Sequence, residues 1–281
     1  MTALIDLDSL IYSSVYRIVS FSQMREALSL YGKESAKQWV LEEVYNEGIN
    51  RLENELLRTQ SHLQSIFKKD ITSFELYITT CSKSFRKELS KSYKSKRKPN
   101  KYVTLIREHY RHNGAFSSET LEADDLIANR AYELGIDNCI VVSIDKDLKQ
   151  IGGYYWSYYK QNSRDMYGNL VCNDYGIVEK EYKQKQVEFI DKEQAYLFFY
   201  SQMLIGDSVD NISGITKVTK ELKNDIKKET GKTIFCSVGK VSAEKIMSNS
   251  KNHFITVARE YIIRNQKGAF WLNYKLLKLG H

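Results

Sequence analysis

One proline in 281 residues, Pro99, and no glycine- or serine-rich tract leave no readable linker, so domain boundaries must come from changes of pattern. Long apolar runs are also missing. The longest, residues 195–200, is six residues, where a membrane-crossing helix needs about 20. Asp6 and Asp8 interrupt the start before a secretory apolar region could form. The expectation is a soluble cytoplasmic protein with no membrane partner. Cys81, Cys139, Cys172 and Cys236 lie at least 33 residues apart, which excludes a CxxC zinc or redox pair and reads as reduced thiols. There is no GxSxG nucleophile elbow for a serine hydrolase and no GxxxxGK[ST] loop for ATP hydrolysis. The histidines, His62, His109, His112, His253 and His281, are scattered and read as surface residues. No internal repeat is found.

What the chain has is segregated charge. The net +7 hides a window, residues 83–111, with eleven Lys and Arg against two Glu, a balance of +9. Residues 119–147 follow with eight acids and two bases, a balance of −6. A basic stretch suits a phosphate backbone, and carboxylates without His or Cys suit hard cations such as Mg²⁺ or Mn²⁺. Each stretch taken alone is also what a solvated helix face looks like. A second basic stretch, residues 217–251, carries nine bases and four acids.

With 42% hydrophobic residues the chain can bury a full core. Short β-branched and aromatic runs at residues 2–5, 74–79, 139–144 and 154–159 predict strands. Residues 34–69 space Val40, Val44, Leu52, Leu56, Leu63 and Ile66 as one or two long amphipathic helices, and further helices are predicted over 122–134 and 191–205. Strands alternating with helices predict an α/β fold with a mostly parallel sheet.

Ligands of open parallel sheets sit beyond the carboxyl ends of the strands. Asp6 ends the first strand, Asp145 and Asp147 follow CIVVSI, and Glu122, Asp124 and Asp125 in LEADD open a helix; Asp207 and Asp210 lie in the turn GDSVDN. Taken singly, Asp124 or Asp125 is explained by the helix dipole and Asp207 by turn chemistry. Together, four segments would deliver carboxylates to one sheet edge, where they would repel unless cations neutralise them. Two divalent ions can activate water and hold a scissile phosphate. The chemistry predicted is phosphodiester hydrolysis.

The ordered motifs ALIDLDSL, FRKEL, YKSKRK, LEADD, VVSIDKDL and GDSVDNISG resemble those of the structure-specific 5′-nucleases, the flap endonucleases and 5′-3′ exonucleases, and are most similar to the short phage enzymes. The resemblance runs from Asp6 to about Lys245. It implies a PIN-like core over residues 1–205, a helical arch at about 83–118, and a C-terminal helix-turn-helix region, 206–281, that grips duplex DNA. It assigns Asp6, Glu122, Asp124 and Asp125 to a first metal and Asp145, Asp147, Asp207 and Asp210 to a second. Asp6, Asp124, Asp145, Lys94 and Arg97 are the implied catalytic residues, the last two steering the phosphate. Arg86, Tyr93, Lys96, Lys98, Gly239 and Lys240 are implied nucleic-acid contacts, with Tyr93 stacking on a terminal base or serving as an ordinary core or surface tyrosine. Two Mg²⁺ or Mn²⁺ ions, and a monovalent cation in the helix-turn-helix region, are the implied cofactors. The implied substrates are branched or duplex DNA with 5′ ends and RNA primers in hybrids, handled by a monomer working with replication proteins.

Two places depart from the family pattern. Cys81 holds the position of an aspartate at the end of the second strand, so one first-site ligand is missing; Asp8, which shares a face with Asp6 in an extended segment, is either its substitute or a solvent acid. Residues 215–237 are an insertion that splits the glycine-rich hairpin. Two alternatives stay open: a DNA-binding module that has lost turnover, and a PIN-type ribonuclease.

Overall fold

The computed structural model describes residues 1–15, 18–81, 83–157, 159–162, 180–183, 187–231 and 234–280. Cys172, His281 and Tyr158, the last within the predicted strand 154–159, lie outside the described residues. The described residues form two compact units, one of residues 1–81, 99–148 and 153–189, the other of residues 82–98, 149–152 and 190–281.

The first unit is built on β1 (Thr2–Asp6), β2 (Ser73–Tyr77), β3 (Cys139–Val142) and β4 (Gly153–Trp156). Two further strands, β5 (Tyr159–Asn162) and β6 (Lys180–Lys183), pair with each other antiparallel. With β7 (Glu188–Ile190) the main sheet has the order β2-β1-β3-β4-β7. Its first three pairings are parallel, in a register that sets Asp6 opposite Tyr77 and Ile5 opposite Val142. The protein is therefore α/β with a mostly parallel central sheet flanked by helices, as its pattern predicts. All four residues of β3 are buried, which is why CIVV shows no polar alternation: a central parallel strand is covered on both faces.

Helices α1 (Leu7–Ser14) and α2 (Phe21–Ile66) carry the chain from β1 to β2. Helix α2 starts well before the predicted residue 34. Ser20 and Gln23 cap it reciprocally, Gln23 N donating to Ser20 Oγ at 3.2 Å and Ser20 N to Gln23 Oε1 at 2.9 Å, the S-x-x-Q signature of a helix start. The helix breaks at Gly32 (φ 73°, ψ 174°). Of the stretch 83–118, α3 (Phe85–Leu89) belongs to the second unit and α4 (Lys101–His112) to the first. Val103, Ile106 and Tyr110 of α4 are buried in the first unit's core with Leu7, Leu52 and Trp156. Helix α5 (Ala123–Leu134) then leads to β3.

In the second unit, α6 (Lys192–Ile205) precedes a small antiparallel hairpin of β8 (Gly206–Asp207) and β9 (Ile212–Ser213). Helix α7 (Lys220–Thr230), capped by Thr219 and ended by Gly231 at φ 69°, comes next. Helices α8 (Lys240–Ser248), α9 (His253–Ile263) and α10 (Lys267–Leu277) follow. Tyr93, Met203, Val257, Tyr261 and Phe270 are among the residues of their shared core. The Tyr261 hydroxyl donates to Met203 O at 2.6 Å, and Asn273 Nδ2 to Ser213 O at 2.7 Å, tying the hairpin to the helices. No helix among the described residues is long and apolar enough to cross a membrane.

Candidate active site

Asp6 is the last residue of β1 and the N-cap of α1, its Oδ1 accepting from Asp8 N at 3.1 Å. A strand that runs straight into a helix turns its final side chain onto the sheet's carboxyl edge, and here that side chain is 4% exposed. Ser143, immediately after β3, is fully buried; its Oγ donates to Asp6 Oδ2 at 2.7 Å and accepts from Asp145 N at 2.9 Å. One hydroxyl thus ties the carboxylate that ends β1 to the backbone of the acid that follows β3. The Tyr155 hydroxyl lies 2.8 Å from Ser143 O and 2.9 Å from Asp145 O, fixing the same turn from below. Asp147 N donates to Asp145 Oδ1 at 2.9 Å.

The other acids of the first unit are placed by similar local bonds. Asp8 Oδ1 accepts from Arg107 Nε at 2.9 Å and from Thr79 N at 3.3 Å, so its carboxylate is paired within the protein. Thr79 Oγ1 accepts from Ala123 N at 3.0 Å, which brings the start of α5 to the end of β2. Glu122 (4% exposed) is the N-cap of α5, and Asp125 (fully buried) accepts Glu122 N at 3.3 Å, the reciprocal half of a helix cap. Asp124, in the first helical turn, is half-buried. Cys81 is a half-buried thiol after β2.

Burial, then the charges of Asp8 and Asp145, push the Asp6 carboxyl up from 3.8 to about 7, against the Ser143 hydrogen bond that lowers it. A charged carboxylate in that position is costly without a cation. Oxygen donors alone fit a hard divalent ion rather than a soft one, and Asp6 with Asp145 forms the pair on which such a site would be assembled. Among the described residues, no group of three or more His, Cys, Asp or Glu side chains is drawn together so that it could hold a metal ion.

The second unit holds Asp207, Asp210 and the basic motif YKSKRK. Asp207 Oδ1 accepts from Val209 N at 2.8 Å and from Asp210 N at 3.4 Å, the turn chemistry of an Asx loop. Tyr93, Lys94 and Arg97 all converge on Asp210. The Tyr93 hydroxyl donates to Oδ2 at 3.2 Å, Lys94 Nζ lies 3.6 Å from Oδ2, and Arg97 Nη2 donates to Oδ1. Lys96, Lys98, Gly239 and Lys240 are exposed, Gly239 as the N-cap of α8.

Two implied nucleic-acid contacts are corrected by their surroundings. Arg86 is 1% exposed, and its guanidinium donates to Leu276 O at 2.8 Å and to Lys278 O at 2.9 Å, so it ties the end of α10 rather than a phosphate. Tyr93 is 4% exposed with its ring in the second unit's core, so its ring is not presented for stacking on a base. Ser143 and Tyr155 are the site residues that sequence reasoning missed. A serine wedged between a fully apolar strand and two strand-end acids was the available signal for Ser143; nothing in the sequence marks Tyr155 among 20 tyrosines.

No protein-family model matches the chain, and no curated protein matches it. Among the solved structures to which it is similar are proteins of bacteriophage T5. Against the flap endonuclease in a pseudo-enzyme–product complex with DNA and metal ions, the TM-score is 0.48 at 15% identity, over 98% of this chain and 88% of that one. Against the 5′-exonuclease with zinc ions bound, it is 0.43 at 15% identity, over 99% and 88%.

Proposed function

We propose that this protein is a divalent-metal-dependent 5′-nuclease that hydrolyses phosphodiester bonds at 5′ ends of branched or duplex DNA, with RNA–DNA hybrids as a further substrate. The observation that carries the reading is the pair Asp6 and Asp145, joined through Ser143 at the carboxyl edge of a parallel sheet, with Asp6 in need of a cation. The ordered motifs of the sequence support it independently. Asp6, Asp124, Asp145 and Asp147 are the proposed ligands of Mg²⁺ or Mn²⁺, which when bound would supply an activated water and charge neutralisation at phosphate.

The rest falls to the chain's own residues. Ser143 orients the Asp6 carboxylate, Tyr155 fixes the turn that carries Asp145, and the buried apolar residues of β1 and β3 back them. Lys94 and Arg97 are the proposed phosphate-binding cations. Exposed Lys96, Lys98 and Lys240, with α7 and α8, are the proposed surface along the duplex, and residues 206–281 its helical frame.

Incubating the full chain with 5′-labelled flap and blunt duplex DNA in Mg²⁺, Mn²⁺ or EDTA tests the reading. The expected outcome is metal-dependent release from the 5′ end that EDTA stops and that Asp6→Asn/Asp145→Asn reduces by at least about 100-fold. Cleavage that survives in the double variant would overturn it. A second reading, a structure-specific DNA-binding module without turnover, is favoured by Cys81 at the family's aspartate position and by the lack of a three-ligand group among the described residues. Tight DNA binding with no cleavage in either metal would select it.

A further inference from the structure

We infer that Arg107 is a positioning residue that sets how tightly the strand-end acids take a divalent cation, by holding the Asp8 carboxylate out of their ligand set. The inference rests on the metal-dependent reading and deepens it, since it names the residue of this chain that regulates the charge of the site.

Asp8 stands among the acids of the first unit. Its backbone N donates to Asp6 Oδ1 at 3.1 Å, and of the neighbouring charges its own acts most strongly on the Asp6 carboxyl, ahead of Asp145. On the other side, Thr79 N donates to Asp8 Oδ1 at 3.3 Å while Thr79 Oγ1 accepts from Ala123 N at 3.0 Å. One residue after β2 thereby ties Asp8 to the segment that carries Glu122 and Asp124. The carboxylate is nevertheless engaged by a cation of the protein itself, because Arg107 Nε donates to the same Oδ1 at 2.9 Å.

Arg107 is fixed from two directions. Its helix, α4, is seated by Val103, Ile106 and Tyr110, which are buried in the first unit's core. The guanidinium also lies 5.7 Å from the centre of the Tyr12 ring, within the range of cation–π attraction. The Arg107 and Asp8 side chains are 20% and 19% exposed, so solvent and salt screen the pair less than one on the open surface. The affinity of an oxygen-donor site for a divalent ion is tuned by its count of negative charges, and pairing with Arg107 removes Asp8 from that count. Released from Arg107, Asp8 is free to turn toward Asp6 and join it and Asp145, completing a three-carboxylate group of the kind that the described residues do not form.

The test is a binding cycle on the full chain without DNA, in which Mn²⁺ is titrated and the free ion is read by electron paramagnetic resonance. Arg107→Gln is expected to bind Mn²⁺ about tenfold more tightly than the unaltered protein, and to have at most about a twofold effect in an Asp8→Asn background. Asp8→Asn alone is expected to stay within about twofold of the unaltered affinity, and Arg107→Lys, which keeps the charge, to return toward it. Loss of a merely structural contact would not raise the affinity for a cation. Unchanged or weaker binding by Arg107→Gln overturns the inference. Equal strengthening in both backgrounds overturns it too, since general charge removal is then the cause. Should Arg107→Gln fail to fold, Asp8→Asn decides: a loss of Mn²⁺ affinity beyond about fivefold makes Asp8 a ligand already and overturns the inference. The nuclease reading fails separately. A Mn²⁺ site that Asp6→Asn/Asp145→Asn weakens but Arg107→Gln leaves unchanged overturns only the role of Arg107, whereas no Mn²⁺ binding by the unaltered chain or by Arg107→Gln overturns both.

Discussion

At the scale of single residues, Asp6 carries the sharpest consequence. Its carboxyl titrates near 7 in the folded chain and near 3.8 when solvated, so between those values the native state holds more protons than the unfolded one. Stability from this group is therefore complete below about pH 4 and is lost as pH rises to about 7. Asp6→Asn removes the slope: in EDTA the variant should match the unaltered protein near pH 4 and exceed it at pH 8 by at most about 4 kcal/mol. Thermal melts across that range check it, and an identical pH slope in both proteins would refute it. Asp6 and Asp145 were legible because strand ends can be read from a run of β-branched residues. Arg86 and Tyr93 were not. An arginine in a basic run looks the same whether it meets a phosphate or a backbone carbonyl, and the partners that decide it, Leu276 and Asp210, lie 190 and 117 positions along the chain.

Among the elements, the hairpin carrying Asp207 and Asp210 depends on two glycines. Gly206 sits at φ 81°, where a Cβ would meet Gly214 N at 2.2 Å, and a Cβ on Gly214 would fall 2.3 Å from Leu204 O. The backbones of the helix end and the returning strand touch, and only hydrogen fits between them. Gly214→Ala should therefore cost about 3 kcal/mol or more and loosen the contacts that Tyr93, Lys94 and Arg97 make with Asp210; a denaturant titration that places it within about 0.5 kcal/mol of the unaltered protein would contradict this packing. The long helix α2 shows the opposite case, in which a readable signal was present: Ser20 and Gln23 form a capping box in the sequence itself. Residues 21–33 carry no clean apolar stripe, because Leu28, Leu30 and Tyr31 are exposed there, and periodicity alone starts the helix too late.

For the whole molecule, the charge map sets how the proposed DNA contact should respond to salt. A balance of +9 in residues 83–111 and +5 in 217–251, in a chain of net +7, predicts binding that weakens steeply with salt, log affinity falling linearly with log salt concentration as counterions are released. Lys94→Ala should lower that slope by about 1 while changing sequence preference little; binding that is flat in salt would exclude a phosphate-led contact. The sequence by itself determined the class of fold, the strand-end acids and the basic stretches, because periodicity, β-branching and charge are local properties of a chain. Only the tertiary structure decided which of those charges are spoken for. It buries Arg86, sets Asp8 against Arg107 and locks Lys94 and Arg97 onto Asp210, since an ionic side chain takes its role from whatever partner folding brings within a few ångströms.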